Sequence, residues 1–551
     1  MRKMLILFLG VCKAWGLDYA YEFGGILRDF GTQVRVDNRG NVFVACSLYL
    51  YDYIYHAGAV GKMSPTGELE WLRLIGGPDS ASALHRPQIA VSPLGDGSLY
   101  VAGYYSEGTT RGFKVAKLDA NGDVIWATWL YNDRATFYYA RFPAIAVLPD
   151  GDCMVMWSTA RPDGSNNYDL LFACFSGSDG QMKWFRVYDY YENDGYYTWL
   201  GPFWYHAIGM KDTTVIFNNL VLLPNQDLIS VSVRMDRNGN IIGSPMAPSG
   251  SIKWMLSMDT LPGGDIVSLW YIGRGSNLSE PETLYIVRTS GDWSATRWAR
   301  LRLGPDTVYG AFYIRPYMGI AGTLDTGCVV VGICSEVPYT SSWLITKLSS
   351  SGVSEWHRTE RALPGRKNFL TSVAQTPDGD YVSVGTILST NEDDAVVMRL
   401  NTDGSTCITG DTNITLSSVS FNMAPFYSFT EVTSLYEGHI FAVQTPTVTT
   451  VPSYMDTILC PALPVYDDPS VTLEDPIKMW SGSGGRLYLI ASSEMDISLA
   501  LYDISGRLAS KVYEGIIPAG KHTFLPDIRT GGSYVAVLRY QGKVKTMSLV
   551  R

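Results

Sequence analysis

Charge is scarce in this chain. Asp, Glu, Lys and Arg make up 17% of the 551 residues, and the formal net charge is −10. No basic stripe is available to neutralise phosphates, which argues against a nucleic-acid partner. No stretch after the N-terminus approaches 18 apolar residues, so no transmembrane helix is expected in the mature chain. The histidines are few and scattered, at His56, His85, His206, His357, His439 and His522. HExxH, GxSxG, P-loop and dinucleotide motifs are all missing, which removes the usual signatures of metalloproteases, α/β-hydrolases, NTPases and dehydrogenases. With no CxxC and no Cys/His cluster, a zinc site is not expected either. No cofactor is called for, calcium apart.

What the chain has is a repeat. Eight Gly- or Asp-Gly-type turns each open a strand rich in Val, Ile and aromatics. They are Asn38–Asn41, Gly95–Gly97, Pro149–Gly151, Pro224–Gln226, Pro262–Gly264, Asp325–Gly327, Pro377–Gly379 and Tyr436–Gly438. A second hairpin follows most of them, with a basic residue, a Gly at fixed offset and then a Trp. It runs Lys62–Gly67 with Trp71, Lys117–Gly122 with Trp126, and Lys347–Gly352 with Trp356. Arg234–Gly239 and Arg399–Gly404 keep the step without a following Trp. Cys174–Gly180 with Trp184 and Arg288–Gly291 with Trp298 are degenerate copies. The Gly supplies the positive φ of the turn, and the Trp anchors a half-buried outer strand. The basic residue is expected to be solvated.

Four short strands per period of roughly 57 residues imply a radial all-β array, because one such unit cannot bury both faces alone. The expected fold is therefore all-β: a seven- or eight-bladed β-propeller followed by a small C-terminal β-sandwich. The spacing between first turns stretches to 75 and shrinks to 38 around Pro224, which marks a distorted fourth unit and leaves the count at seven or eight. Tyr19–Phe23 is expected to pair with a blade in 428–460 and so close the ring. The run Gly40–Ala45, then Lys62–Gly67 and Trp71, resembles bacterial SBBP and delta-60 type propeller repeats over residues 19–461. The resemblance implies architecture rather than activity.

Both ends carry addresses. Arg2 and Lys3 precede an apolar run, Met4–Val11, and Ala14-Trp15-Gly16 offers a cleavage site, so residues 1–16 read as a secretory signal. The propeller is assigned to 17–461, a Pro/Asp-rich linker to 462–479, and a second domain to 480–551. That last segment holds nine Lys or Arg against five Asp or Glu, while the rest of the chain is net −14. Alternating apolar residues broken by Gly turns predict six or seven strands there. The run Leu501–Arg507, then Pro518–Gly520, Gly532–Val537 and Gly542–Val544, resembles the type A C-terminal sorting domain of the type IX secretion system. Its matching motif residues here are Asp503, Gly506, Gly520, Tyr534 and Gly542. The resemblance implies the type IX machinery as a partner. It also implies export to the outside or outer surface of a Gram-negative bacterium, with the module removed or used as an anchor.

Candidate chemistry is thin. Asp150/Asp152 and Asp378/Asp380 are paired carboxylates, but they recur at turns and read as turn residues before general acids or bases. Asp119, Asn121 and Asp123 alternate oxygen ligands around Gly122 as calcium loops do; the same residues also favour a plain tight turn. Asp236–Asn240 is a weaker copy. Cys153 and Cys174 fall on neighbouring strands, and Cys407 and Cys460 flank the last unit. Each pair reads equally as a disulfide or as buried thiols. Cys328 and Cys334 are six apart on one strand and cannot pair. Two aromatic-rich segments stand out. One contains Tyr190, Tyr196, Tyr197, Trp199 and Trp204; the other contains Tyr51 and Tyr53. Aromatic faces suit a glycan or peptide ligand, and packing beside an irregular unit is the other reading. Three classes follow: a non-catalytic binding or structural propeller, a polysaccharide-acting enzyme, or a subunit of a surface assembly.

Overall fold

A computed structural model describes the strands and tight turns between Phe30 and Pro452, the strands between Ile477 and Val550, and two short strands, Leu5–Phe8 and Ala20–Gly24. Segments 76–84, 133–142, 190–205, 304–317 and 453–476, and shorter ones between strands, lie outside the described residues. Two compact units result. One spans Cys12–Tyr19 and Leu27–Ser453; the other takes Met1–Val11, Ala20–Ile26 and Tyr454–Arg551. Among the described residues no helix is long and apolar enough to cross a membrane.

The first unit is a β-propeller. Its repeats form sheets whose strands run from the inside outward in chain order. The first sheet is Phe30–Val36, Val42–Tyr51, Tyr55–Met63 and Leu69–Ile75. Six more begin at innermost strands His85–Val91, Ala144–Val147, His206–Gly209, Lys253–Thr260, Gly319–Gly322 and Lys367–Gln375. Each innermost strand packs on the next, and Phe30–Val36 packs on Lys367–Gln375, so the sheets close into a ring.

The fourth sheet is irregular at its outer strand, Met246–Pro248, which pairs with Leu228–Met235 only at Ser232. Its first turn lies at Met210–Thr214, where Thr213 takes φ 67° without a Gly. Pro224–Gln226 instead lies in sequence between the strands Val215–Leu222 and Leu228–Met235, outside the described residues. A non-Gly residue in the left-handed region hid the true turn from sequence reading.

The described residues of 428–460 do not build a blade. They belong to a strap within 409–452 that circles the ring backwards and adds an outermost strand to six sheets in turn. Thr409–Asp411 pairs with Ser354–Glu360, Ser417–Ser418 with Thr296–Leu303, and Met423–Pro425 with Met246–Pro248. Thr430–Glu431 pairs with Met182–Asp189, Ile440–Gln444 with Val124–Asn132, and Val451–Pro452 with Leu69–Ile75. Each would otherwise be an open sheet edge. The strap is gripped by side chains as well: Val187 N–H donates to Thr433 Oγ1 at 3.0 Å, and Tyr131 stacks on Phe441 at 5.4 Å. Among the described residues Ala20–Gly24 pairs with Leu5–Phe8, and no strand of 428–460 joins it.

Neighbouring sheets are stapled by the repeat itself. Each Trp lies over the Gly of the next hairpin. A Cβ on Gly122, Gly180, Gly239, Gly352 or Gly404 would come within 2.4–2.8 Å of Trp71, Trp126, Trp184, Trp298 or Trp356. The indole N–H of Trp71 also donates to Ala120 O at 2.9 Å, and that of Trp298 to Ser350 O at 2.9 Å. Gly239 receives Trp184 of the sheet before, and since Arg234–Gly239 has no following Trp, Gly291 of the next hairpin faces Gly264 O and Met210 instead.

The basic residue is buried, against the expectation of a solvated one. Lys117 and Lys347 are 7% and 2% exposed, and Arg399 is 1% exposed. Lys117 Nζ donates to Gly177 O of the next sheet at 3.0 Å, and Lys347 meets Asp325 at 2.7 Å. Arg399 binds Asp378 and Asp380, and across the ring closure it reaches Pro65 O. Packing of sheet on sheet takes this position out of water, so the charge has to be paired.

In the second unit, Ile477–Ser481, Leu487–Ala491 and Gly520–Phe524 form one sheet. Leu508–Ile517, Met495–Asp503, Ser533–Tyr540 and Lys543–Val550 form another, in that order. Leu487, Leu489, Leu499, Leu501, Ala536 and Leu538 come from both sheets into one core.

Candidate functional site

The first turns and second hairpins share one edge of every sheet. Their carboxylates are spoken for. Asp152 binds Lys183 and Arg237, and Arg237 also binds Asp150. Asp378 and Asp380 both bind Arg399. Asp378 and Asp380 thus partner a buried repeat cation, whereas Asp150 and Asp152 partner the half-exposed Lys183 and Arg237. For Asp150 burial pushes the carboxyl up, but the Asp152 N–H and Arg237 prevail and hold it below its ordinary value. Asp292 shows the same effect in an exposed turn: hydroxyls of Ser290 and Ser294 and the Ser294 N–H bring it down to about 2.

Asp119 accepts the N–H groups of Asn121 and Asp123, each at 2.8 Å on Oδ1. Asp236 does the same for Asn238 and Asn240. This geometry is that of an Asx-type turn. Among the described residues no group of three or more His, Cys, Asp or Glu side chains is placed to hold a metal. Cys153 and Cys174 are not cross-strand neighbours facing each other. Cys153 packs in the core toward the second sheet and Cys174 in the core toward the fourth, and both are free and buried, as are Cys46 and Cys328. Cys407 and Cys460 lie outside the described residues.

Tyr190, Tyr196, Tyr197, Trp199, Trp204 and Tyr53 also lie outside them. Tyr51 ends the second strand of the first sheet, where it pairs with Tyr55. The strand ends that flank 190–205, Asp189 and His206, stand at the edge opposite the Gly turns. There Arg161 holds Asp169 at 3.0 Å and Asp189 at 2.5 Å, all three largely buried. Burial works against the Arg161 charge, yet the two carboxylates hold its pKa above the ordinary value. The segment therefore starts from a pinned root. In the sorting motif, Asp503 and Tyr534 are cross-strand partners, and Gly520 opens a strand paired to Ala491. Gly506 and Gly542 lie outside the described residues.

The axis carries the feature that sequence reading missed. An innermost strand has one unpaired edge, and side chains of the preceding sheet cap it. Ile89 N–H donates to Gln33 Oε1 at 2.6 Å, Val34 N–H to Ser372 Oγ at 3.2 Å, and Ile320 N–H to Ser257 Oγ at 3.3 Å. Two residues before each first turn, the seven innermost strands place Arg35, Ala90, Ala146, Ile208, Asp259, Ala321 and Ala374 at one level. Five are apolar and mostly small; two are opposite charges. Arg35 and Asp259 come from the first and fifth sheets, which are not neighbours, so their influence on one another acts across the axis. Each acts electrostatically on the other. Arg35 Nη1 donates to Val34 O at 3.2 Å. Asp259 accepts Gly322 N–H at 2.9 Å and Thr260 N–H at 2.8 Å. Burial pushes the Asp259 carboxyl up, against the pull of Arg35 and those N–H groups. Burial likewise lowers the Arg35 guanidinium from its ordinary value, against Asp259. The arrangement places a hydrogen-bond donor and an acceptor at one otherwise apolar level of the innermost strands. It breaks the repeat, and only the closed ring brings the two residues together.

A family match supports the propeller over a short stretch. Residues 94–124 match the family described as "Domain of unknown function (DUF5122) beta-propeller". No curated protein matches the chain. Among solved structures, an α-L-arabinofuranosidase Arb93A from Fusarium graminearum is 10% identical, with 72% of this chain and 97% of that chain covered and a TM-score of 0.39. The β-propeller domain of the Trilobed protease from Pyrococcus furiosus is 10% identical, covering 68% and 95%, with a TM-score of 0.36. Quinohemoprotein alcohol dehydrogenase from Comamonas testosteroni is 10% identical, covering 69% and 75%, with a TM-score of 0.36.

Proposed function

We propose that the chain is an exported, non-catalytic binding protein: a seven-bladed propeller with a C-terminal β-sandwich that serves as a type IX sorting module. The ligand is a glycan or peptide. The observation that carries the binding reading is the Arg35–Asp259 pair acting across the axis. A ligand offering an acceptor to Arg35 and a donor to Asp259 satisfies both without bringing in net charge, as vicinal sugar hydroxyls or a backbone amide do. Tyr51, Tyr53 and the aromatic residues of 190–205 are proposed as further ligand contacts. Glycoside hydrolysis uses two carboxylates about 5–10 Å apart. Among the described residues the axial level offers one, Asp259, influenced by a cation, and the turn carboxylates are engaged in ion pairs. That favours binding over catalysis.

The test is calorimetric binding of the full mature chain to a panel of neutral oligosaccharides and peptides, with calcium and with chelator. Arg35→Ala, Asp259→Asn and Trp199→Ala are run beside it. Saturable binding weakened about tenfold or more by either axial substitution supports the reading. Turnover of a polysaccharide that Asp259→Asn abolishes would replace it with the enzyme. Loss of export on deleting 480–551 is the expected result for the sorting module.

A further inference from the structure

The propeller leaves few sheet edges open, whereas the C-terminal unit leaves a long one. Leu508–Ile517 is the outermost strand of its four-stranded sheet, and among the described residues no strand pairs with its free side. At ten residues it is as long as any strand of the molecule. It exposes Leu508 and Ile516 at 59% and 62%. The opposite edge, Lys543–Val550, carries Lys543 and Lys545, the usual protection against edge-to-edge pairing. Leu508–Ile517 carries one Lys and one Glu, which now pair with each other along the strand.

We propose that this edge docks the same edge of a second copy of the chain, antiparallel, about a two-fold axis between Val512 and Tyr513. The sequence of the strand is complementary to itself in that register. Lys511 falls opposite Glu514 twice, once on each side of the axis. Leu508 falls opposite Ile517, Ala509 opposite Ile516, and Ser510 opposite Gly515. A slip of two residues sets Lys511 against Val512 or Ile516, and the charge pairs are lost. Isologous contacts of this kind close on themselves and stop at a dimer. The strand skips Val512 and Ala509 in its pairing with Met495–Asp503, and such bulges add twist. The joined sheet has eight strands, and the contact is small, which implies a weak dimer with a dissociation constant on the order of micromolar. This inference is independent of the ligand reading.

Sedimentation of the full mature chain across micromolar concentrations tests it, with a charge-swap pair as the control. Lys511 and Glu514 are both more than half exposed, so Lys511→Glu and Glu514→Lys leave the fold intact. Each variant alone sets like charges opposite each other twice and weakens the dimer roughly tenfold. An equimolar mixture restores both pairs and forms a heterodimer close to the wild-type affinity. A chain that stays monomeric throughout, a Glu514→Lys variant that dimerises as well as wild type, or a mixture that fails to pair overturns the proposal.

Discussion

The turn edge of the sheets and the axial level treat charge in opposite ways. At the turn edge most sheets repeat one solution, a cation at the same position tied to a turn carboxylate or to the next hairpin. At the axis the level is small and apolar in five sheets, and two sheets depart from it with Arg35 and Asp259. The first pattern holds neighbouring sheets together. The second costs desolvation and no repeat requires it, which is the behaviour of a functional site. In a repeat protein, agreement between copies describes the scaffold and disagreement points at the ligand.

The comparison is broken most severely by removing the strap. Deleting 406–453 leaves six outer strands unpaired, and the first unit is expected to aggregate rather than purify as a monomer by size exclusion. Gly180→Ala comes next. The residue has φ 71°, and a Cβ would lie 2.5 Å from the Trp126 ring. A loss of about 2–4 kcal/mol in chemical denaturation is expected. Overlaying Trp126→Ala should remove the steric part of that loss.

Acid sharpens the contrast. The turn carboxylates, Asp150 and Asp292 among them, are held below their ordinary values in the fold. Their contribution is therefore present above the ordinary carboxylate range and lost as pH falls from about 4 toward 2. Asp259 is raised, so its sign is reversed: between the ordinary and the raised value, stability falls as pH rises. The smallest expected effect follows. Asp259→Asn leaves stability at neutral pH unchanged or raises it by at most ~1 kcal/mol in thermal unfolding, while ligand binding is lost. A large destabilisation would make Asp259 a structural cap of Gly322 instead.

Much of this architecture was legible because glycine and tryptophan report on backbone and packing locally. The hairpins at Gly67, Gly122 and Gly352 were read directly, since each needs a positive φ. The turn at Met210–Thr214 was not, because Thr213 adopts that conformation without the residue type that announces it. The strap stayed hidden for another reason: its strands are two to five residues long, too short to show any periodicity. The basic residue was read as solvated because one sheet taken alone does leave it at a surface.

The sequence by itself determined the repeat, the all-β class and the local turns, because these depend on contacts within a few residues. The tertiary structure alone decided three things. It set which Trp meets which Gly, since partners lie about 50 residues apart on adjacent sheets. It ran the strap backwards around the ring. It also brought Arg35 to one axial level with Asp259, 224 residues away in numbering, because ring closure gathers the innermost strands of non-adjacent sheets around the axis and no local pattern encodes that distance.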